Sequence, residues 1–526
     1  MRDHVVAVDI GTASARAGVF DRGGSLLARA KYPIDMQRPL ENHAEYDSEN
    51  VWRAACNAVN TAMAAAGLTP ERVAAIGFDA TCSLVVRDIE GRQLTVSTTG
   101  DDRFDTIVWL DHRAVDEAEE LSKSGHRVLT FSGGSLSPEM EMPKLMWLKR
   151  NHSATWQRAG YFFDLADFMT WKATGSISRS QCTLAAKWNY LAHEDPGWQD
   201  DFLAIAGLED LLGKGNLPRK ATPVGESVGH LTSAAARELG LDDRCRVSAG
   251  LIDAYAGALG ALGGEYDRAG LERSVALIGG TSSCIVSLSA KAKPGHSLWG
   301  PFFGAVLPDH WLVEGGQSAT GALLDHVVRM HVAGGEPTSE LHDRIIARIM
   351  ELRSEQGGRF ATNLHVLPDF HGNRSPLADP RATGVISGLT LDMSFDGLCR
   401  LYWRTCVGVA LGIRHILEAM GKYGHIFETL HVTGGHVHNS LLLELYADVT
   451  GCRVKIPRSK DAVLLGTAMT AATAGRIHSS LTDAGRAMAA DGREHLPDPI
   501  RSERYERDYR RYLAMLRHRD ELDRIG

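Results

Sequence analysis

One short pattern occurs twice in this chain. VAVDIGTASARAGVF begins at Val6, and SVALIGGTSSCIVSL begins at Ser274. Each copy is an apolar run, a Gly-Thr turn with small hydroxyl residues, and a second apolar run. Short apolar runs bounded by turn residues read as buried strands, so each copy is expected to be a strand–turn–strand hairpin. Two related hairpins so far apart imply two related lobes, each presenting a loop to a shared cleft. The connection is expected in the polar, glycine-rich GGEYDRAGLERS at 263–274. The expected parts are therefore residues 1–265, 272–480 and a helical tail over 485–526. A chain of 526 residues is also too long for a single core.

Between the hairpins the pattern is that of an α/β protein. GGSLLARAKYPI continues the first hairpin as a meander. NVWRAACNAVNTAMAAAG places Trp52, Ala55, Val59 and Met63 at helical spacing and stops at Gly67. The strand RVAAIGFDA follows and ends in the polar turn DATCS; strand, helix, strand in this rhythm argues for α/β architecture. ETLHVTGGHVHNSLLLELYADVTG gives a third glycine turn after a strand, then a helix from about Asn439 with Leu442, Leu445, Tyr446 and Val449 on one face. VSAGLIDAYAGALGALGG at 247–264 is apolar but carries Asp253 in its middle, which fits a closely packed buried helix and not a membrane span. In the tail, arginines alternate with acids while Tyr505, Tyr509, Tyr512 and Leu516 keep helical spacing. That is an amphipathic helix with a solvated face, not a nucleic-acid arm.

The bulk numbers exclude further classes. A net charge of −8, from 57 basic and 65 acidic residues, gives no general attraction to nucleic acid or anionic lipid. The eight cysteines are scattered without a CxxC pair, which points to a reducing cytoplasm. Asp9 interrupts the N-terminal apolar run, so no signal peptide is expected.

The chemistry begins with what is missing. There is no GxxxxGK[ST] and no strand-linked GxGxxG, so the P-loop and dinucleotide folds lose support. Three glycine turns each follow a strand instead. Backbone N–H groups in such turns can converge on anionic oxygens, and small side chains let a phosphate approach. Any one of them alone reads as a plain hairpin; together they read as a phosphate clamp. Asp253, in an apolar small-residue run, is either a helix cap or a functional carboxylate, since an unpaired buried charge is costly. Asp9 suits a contact to phosphate-bound Mg²⁺. Asp111 in VWLDHRA and Lys187 in LAAKWNY are flanked by aromatics, as sugar-binding groups are; either can equally be a structural ion-pair partner. His431, His436 and His438 bring a metal site to mind, but no carboxylate or cysteine stands at a useful spacing.

Taken together, these motifs resemble the FGGY carbohydrate kinases over essentially the whole chain. DIGTASAR is similar to the family's first phosphate motif, GGTSSC to its second and VTGGHVHN to its adenosine motif. GLIDAYAG resembles the segment that carries the catalytic aspartate. GFDATCSLVV, VWLDHRA, FFDLADFMTWKATG, EGGQSATG and PDFHGNRSPLADP resemble the ribulokinase-like branch. The family's adenosine loop often carries a small residue, Lys, Arg or Ser where this chain has His436 and His438.

The resemblance implies an actin/hexokinase/Hsp70-like (ribonuclease H-like) ATPase fold, two-lobed with a central cleft. It implies ATP held by Gly11, Thr12, Ser14 and Arg16, by Gly280, Thr281 and Ser282, and by Gly434, Gly435 and Asn439. Mg²⁺ is expected near Asp9 and Asp253. The sugar is expected against Ala80, Thr81, Cys82, Asp111, Lys187, Asp253, Glu314 and Gln317, with Asp253 as the catalytic base. The implied reaction is phosphorylation of the terminal hydroxyl of a ketopentose, D-ribulose first. Kinases of L-ribulose, D-xylulose, ribitol or erythritol would share most of these parts. An actin- or Hsp70-like ATPase would share the phosphate loops but not DATCS, AAKW and EGGQ around the cleft. A homodimer is compatible with the resemblance; neither a nucleic acid nor a membrane is expected as partner.

Overall fold

The computed structural model describes residues 2–266, 270–459, 461–490 and 492–525. Residues 267–269, inside the expected connection, lie outside the described residues. The chain forms two compact units. The first comprises Met1–Leu271, Leu288–Val313 and Arg458–Ala490; the second comprises Glu272–Ser287, Glu314–Pro457 and Asp491–Gly526.

In the first unit, β1 (His4–Gly11), β2 (Ser14–Asp21) and β3 (Leu26–Pro33) form an antiparallel meander. The helix α1 (Ser48–Ala66) follows. Asp47 caps it by accepting the N–H groups of Glu49 and Asn50 at 2.9 and 3.2 Å, and Gly67 ends it in the left-handed conformation at φ 63°. The chain then enters β4 (Val73–Ala80), which runs parallel to β1. Both strands are buried along nearly their whole length, as central parallel strands covered on both faces must be. Strands β5 (Ser227–His230), β6 (Arg246–Ser248) and β7 (Leu251–Ile252) complete the sheet, in the order β5-β6-β4-β1-β2-β3 with β7 also on β4. The short strand β7 leads directly into α2 (Asp253–Leu262).

Helix α2 is the buried small-residue helix expected over 247–264, and the reason for its composition is plain. It lies against the helix Ala462–Ala474 at backbone distance. A Cβ on Gly260 would stand 2.0 Å from the Ala462 carbonyl oxygen, and one on Gly466 would stand 1.9 Å from that of Ala256. Any side chain at either position pushes the helices apart.

The second unit repeats the design. Strands β8 (Ser274–Gly279) and β9 (Ser283–Ser289) form the second hairpin. After the long buried helix α3 (Phe395–Gly421), β10 (Thr429–Gly434) lies parallel to β8, as β4 lies parallel to β1. Then come α4 (Ser440–Thr450), β11 (Arg453–Ile456), β12 (Arg493–His495) and the tail helix α5 (Pro499–Asp523). Helix α5 starts at Asp498, which accepts the Ile500 and Arg501 N–H groups, with Pro499 in the first turn. Its Tyr505, Tyr509, Tyr512 and Leu516 are buried. Its charges meet partners in the same unit: Arg519 with Asp369 at 2.6 Å, Asp508 with Arg404 at 2.9 Å and Arg501 with Asp448 at 2.5 Å.

The glycine contact gives a direct test of how α2 is held. Gly466→Ala should cost about 1–3 kcal/mol from overpacking, read as a lower denaturant midpoint. Gly213→Ala, where an added Cβ meets nothing within 4 Å, should leave the midpoint unchanged.

Candidate active site

Strand register assembles the site. Asp9 on β1 stands opposite Arg16 on β2 and opposite Asp79 on β4. Asp79 in turn stands opposite Leu251 on β7, two residues before Asp253. Directly opposite residues share one face of a sheet whose strands are about 4.8 Å apart. Asp9, Arg16 and Asp79 thus project together, with Asp253 at the neighbouring strand end. The helix Ala462–Ala474 covers them. Its capping residue Asp461 bonds Arg16 at 3.1 Å, and its Thr467 hydroxyl donates to Asp79. Arg16 also pairs with Asp9.

This is a surplus of carboxylates out of water, and the acidities follow. Burial pushes Asp253 up to about 6, with a further push from the Asp9 charge; the Ala254 N–H, Lys187 and Arg16 oppose it. Burial also raises Asp9 against the pull of Arg16, and it raises Asp79 well above the usual range with help from Asp9. Sequence reasoning passed over Asp79, Asp461 and Thr467. A signal existed for Asp79, since GFDA and VDIG both place an aspartate near the end of a buried strand. Nothing local marks Asp461.

The first glycine turn is closed by the pair Gly11 and Ser14. Thr12 is braced from two sides, by the Tyr46 hydroxyl on its carbonyl oxygen at 2.6 Å and by the Trp109 indole N–H on its hydroxyl at 3.0 Å. A Cβ on Gly11 would meet nothing nearer than 3.6 Å, so the turn is open above that residue. The second turn, in the second unit, is equally open at Gly280, where the nearest atom would be 3.8 Å away. Its carbonyl groups are tied to the start of the helix Gly321–Met330, since Gly280 accepts from the Gly321 N–H at 3.0 Å and Thr281 from Thr320 at 2.9 Å. Thr281 is exposed and Ser282 half-buried.

At the third turn, Gly434 is required. Its φ is 80°, and a Cβ would stand 2.3 Å from the Gly279 oxygen. His436 points inward, bonding the Tyr446 hydroxyl at 2.8 Å, and burial lowers its pKa to about 4. Asn439 caps α4 by accepting the Leu441 and Leu442 N–H groups at 3.1 and 3.3 Å. The exposed residues of the turn are Gly434, Gly435 and His438. Among the described residues no group of three or more His, Cys, Asp or Glu side chains could hold a metal ion by itself.

Of the expected sugar-site residues, Ala80, Thr81, Cys82 and Lys187 lie in the first unit with Asp253. The Thr81 N–H donates to Ile10 at 3.0 Å, tying the DATCS turn to β1. Burial pushes the Cys82 thiol up to about 12, so it is neutral. Lys187 ends the helix Gln181–Lys187, where a cation suits the dipole, and its Nζ lies 4.2 Å from the Trp299 ring centroid. Glu314 and Gln317 lie in the second unit, both buried on the strand Trp311–Gln317. The Gln317 amide donates to Val409 at 3.2 Å, and its Oε1 has no partner.

Asp111 is engaged differently. Its two oxygens accept four donors: the Ala44 N–H at 2.6 Å, the Arg113 N–H at 2.9 Å, and the Arg113 side chain at 2.9 and 2.7 Å. A carboxylate offers about four lone-pair positions, so protein donors fill it.

Carboxylates gathered at parallel-strand ends, with open glycine turns beside strands, suit phosphoryl-transfer chemistry. Comparison with known proteins identifies the family. Residues 4–260 match the N-terminal domain of the FGGY family of carbohydrate kinases, and residues 275–475 match its C-terminal domain. The chain is 42% identical to an FGGY carbohydrate kinase domain-containing protein of Danio rerio over 98% of each. It is 40% identical to one of Homo sapiens over 98% of this chain and 97% of that protein. With a D-ribulokinase of Saccharomyces cerevisiae it shares 38% identity over 89% of this chain and 71% of that protein. A solved xylulose kinase from Rhodospirillum rubrum, 24% identical, superposes with a TM-score of 0.80 over 99% of both chains. A gluconate kinase from Lactobacillus acidophilus, 18% identical, gives 0.81 over 97% of both. The chain belongs to the FGGY family of carbohydrate kinases and has its actin/hexokinase-like ATPase fold. It is an ATP-dependent phosphotransferase that acts on a sugar hydroxyl. No helix among the described residues is long and apolar enough to cross a membrane.

For Asp253 acting as a base, the raised acidity has a readable sign. A base works deprotonated, so kcat/KM for the sugar should fall about tenfold per pH unit below about pH 6 and level off above it. Activity that falls as pH rises through about 6 would remove Asp253 from that role, because a base works deprotonated.

Proposed function

We propose that this kinase phosphorylates the terminal hydroxyl of a ketopentose, D-ribulose first, giving D-ribulose 5-phosphate. The observation that carries the reading is the pairing of Asp253, held near pKa 6, with the buried cation of Lys187, which it feels electrostatically. A base and a buried donor together suit a substrate with both a hydroxyl and a carbonyl oxygen. The similarity to a D-ribulokinase along most of the chain supports the same choice.

The proposed step is an in-line transfer. The sugar hydroxyl oxygen bonds the γ-phosphorus as the bond from that phosphorus to ADP breaks. Asp253 takes the hydroxyl proton, and ADP leaves. Because the transition state is loose, positioning and charge neutralisation supply most of the rate, and base assistance adds about 10²–10⁴-fold. Lys187 orients the carbonyl end by donating to its oxygen. In the first unit the open Gly11–Ser14 turn is the proposed phosphate contact. In the second unit the proposed nucleotide contacts are the Gly280–Ser282 turn, whose Gly280 N–H is itself bonded to Ser282 at 2.8 Å, and Gly434 with Gly435.

The acids fit Mg²⁺. They are hard oxygen donors, and Oδ1 of Asp9 is buried and accepts no hydrogen bond. Mg²⁺ is usually held by one or two carboxylates plus substrate phosphates, so the lack of a three-ligand cage among the described residues is no obstacle. Asp9 and Asp253 would hold the ion, which when bound neutralises charge on the transferring phosphate.

The test is ADP release with Mg²⁺-ATP across ketopentoses and pentitols at equal concentration. D-Ribulose should exceed the others by an order of magnitude or more in kcat/KM. A higher value with ribitol or erythritol, or release independent of added sugar, would overturn the reading. Asp253→Ala should abolish phosphorylation and leave ATP binding intact. Lys187→Ala should raise the sugar KM well above any change in the ATP KM; equal effects would take Lys187 out of the sugar site.

A further inference from the structure

The first unit contains a second set of buried charges that the reaction above does not use. Glu141 opens the helix Glu141–Asn151, and Asp164 ends the strand Ala159–Asp164. Both are completely buried, as is Lys144. Asp164 stands opposite Leu84, at the exit of the DATCS turn, and caps the following helix through Oδ1, which accepts the Ala166 N–H at 3.2 Å. Its Oδ2 has no partner. Glu141 is similarly half-satisfied. Its Oε1 is 3.5 Å from the Lys144 ammonium, a long contact, and its Oε2 has no partner.

Two wholly buried carboxylates, each with one bare oxygen, are unusual, because folded chains pair almost all such atoms. They are close enough to feel each other, since burial and then the Glu141 charge raise Asp164. They are also close to the sugar-site residues. Cys82 lies in the field of Lys187, Lys144, Asp164 and Glu141, and Lys187 is felt by both Glu141 and Asp253. Burial raises both acids, Asp164 well above the usual carboxylate range. A carboxyl oxygen accepts and a protonated carboxyl also donates, so the missing partner must be able to do both. It must also bring no further full charge into a wholly buried site, where an unpaired charge is costly. A polyol chain meets both requirements.

We propose that Glu141 and Asp164 recognise the sugar at the end away from the phosphorylated hydroxyl, their bare oxygens exchanging hydrogen bonds with its hydroxyl groups. The inference rests on the sugar-kinase site proposed above, with Asp253 at the reacting end and Lys187 beside both. It makes these two acids specificity-determining residues. A pocket built to bond a hydroxyl rejects an analogue lacking it, because its own buried acceptor is then left bare.

The experiment takes whichever sugar the wild-type enzyme phosphorylates best, so a different substrate preference does not decide it. That sugar is compared with its analogue deoxygenated at the carbon farthest from the phosphorylated hydroxyl. Wild type should favour the parent by about 30-fold or more in kcat/KM. Glu141→Gln should lose most of that preference, with the KM for ATP within about twofold of wild type. Asp164→Asn, whose amide oxygen keeps the cap on Ala166, should do the same, and it decides the question if Glu141→Gln does not fold. Three results would overturn the proposal: a wild type indifferent to the missing hydroxyl, variants that keep the preference, or variants that slow parent and analogue equally. The last is what a buried brace without sugar contact would give.

Discussion

The ion set around Arg16 is the constraint on which the first unit depends. Arg16 pairs with Asp9 across the β1–β2 hairpin and with Asp461 at the head of the helix Ala462–Ala474. Without that guanidinium, buried acids would face one another uncompensated, which costs about 3–5 kcal/mol or drives them to take up protons. The same interaction explains why residues 458–490, remote in sequence, belong to the first unit. Asp461 caps its helix through the Leu464 N–H, holds Arg16, and so sets the helix over the acids. Gly260 and Gly466 then let α2 and that helix meet at backbone distance, which fixes where α2 begins and hence where Asp253 stands.

Much of this was legible in the residues. The two hairpins, α1 with its stop at Gly67, the parallel strand β4, and α4 after the third glycine turn follow from local periodicity and turn chemistry. They appear where expected. The tail helix also follows, and its arginines are spent on Asp369 and Asp448 of its own unit. Register was not legible. GFDA marks Asp79 as an aspartate at a buried strand end, but not that it stands opposite Asp9, and nothing local marks the reach of Asp461 to Arg16. The roles of Asp111 and Asn439 were hidden for a related reason. A short polar residue at a strand end or turn looks the same in sequence whether it faces a ligand or its own backbone. Here Asp111 takes four protein donors, and Asn439 caps α4.

The third glycine turn shows how a buried histidine and a glycine are packed as one unit. His436 fills a space against Gly279, where a Cβ would come within 2.2 Å of its ring. A histidine buried there stays neutral, its pKa lowered to about 4, so it adds no charge beside the loop. The glycine at 279 and the histidine at 436 are thus one packing solution. His438, exposed on the same turn, is the side chain free to vary what the loop touches.

Burial of acids also reconciles two demands on Asp253. An aspartate of ordinary acidity is a weak base toward an alcohol, yet a carboxylate raised too far would be protonated at neutral pH and useless as a base. Asp9 and burial push Asp253 upward while the Ala254 N–H, Lys187 and Arg16 hold it down, and the balance falls near 6. As the proposed base, Asp253 would be stronger than a solvated aspartate and still largely deprotonated at pH 7. That balance is a property of the whole charge set, because the cations that restrain Asp253 also compensate its neighbours. Positive charge at Arg16 limits the acidity shifts of Asp9 and Asp253 together. The hairpin that closes the first glycine turn thus carries, two residues beyond Ser14, the cation that limits how far Asp9 and Asp253 are pushed toward protonation.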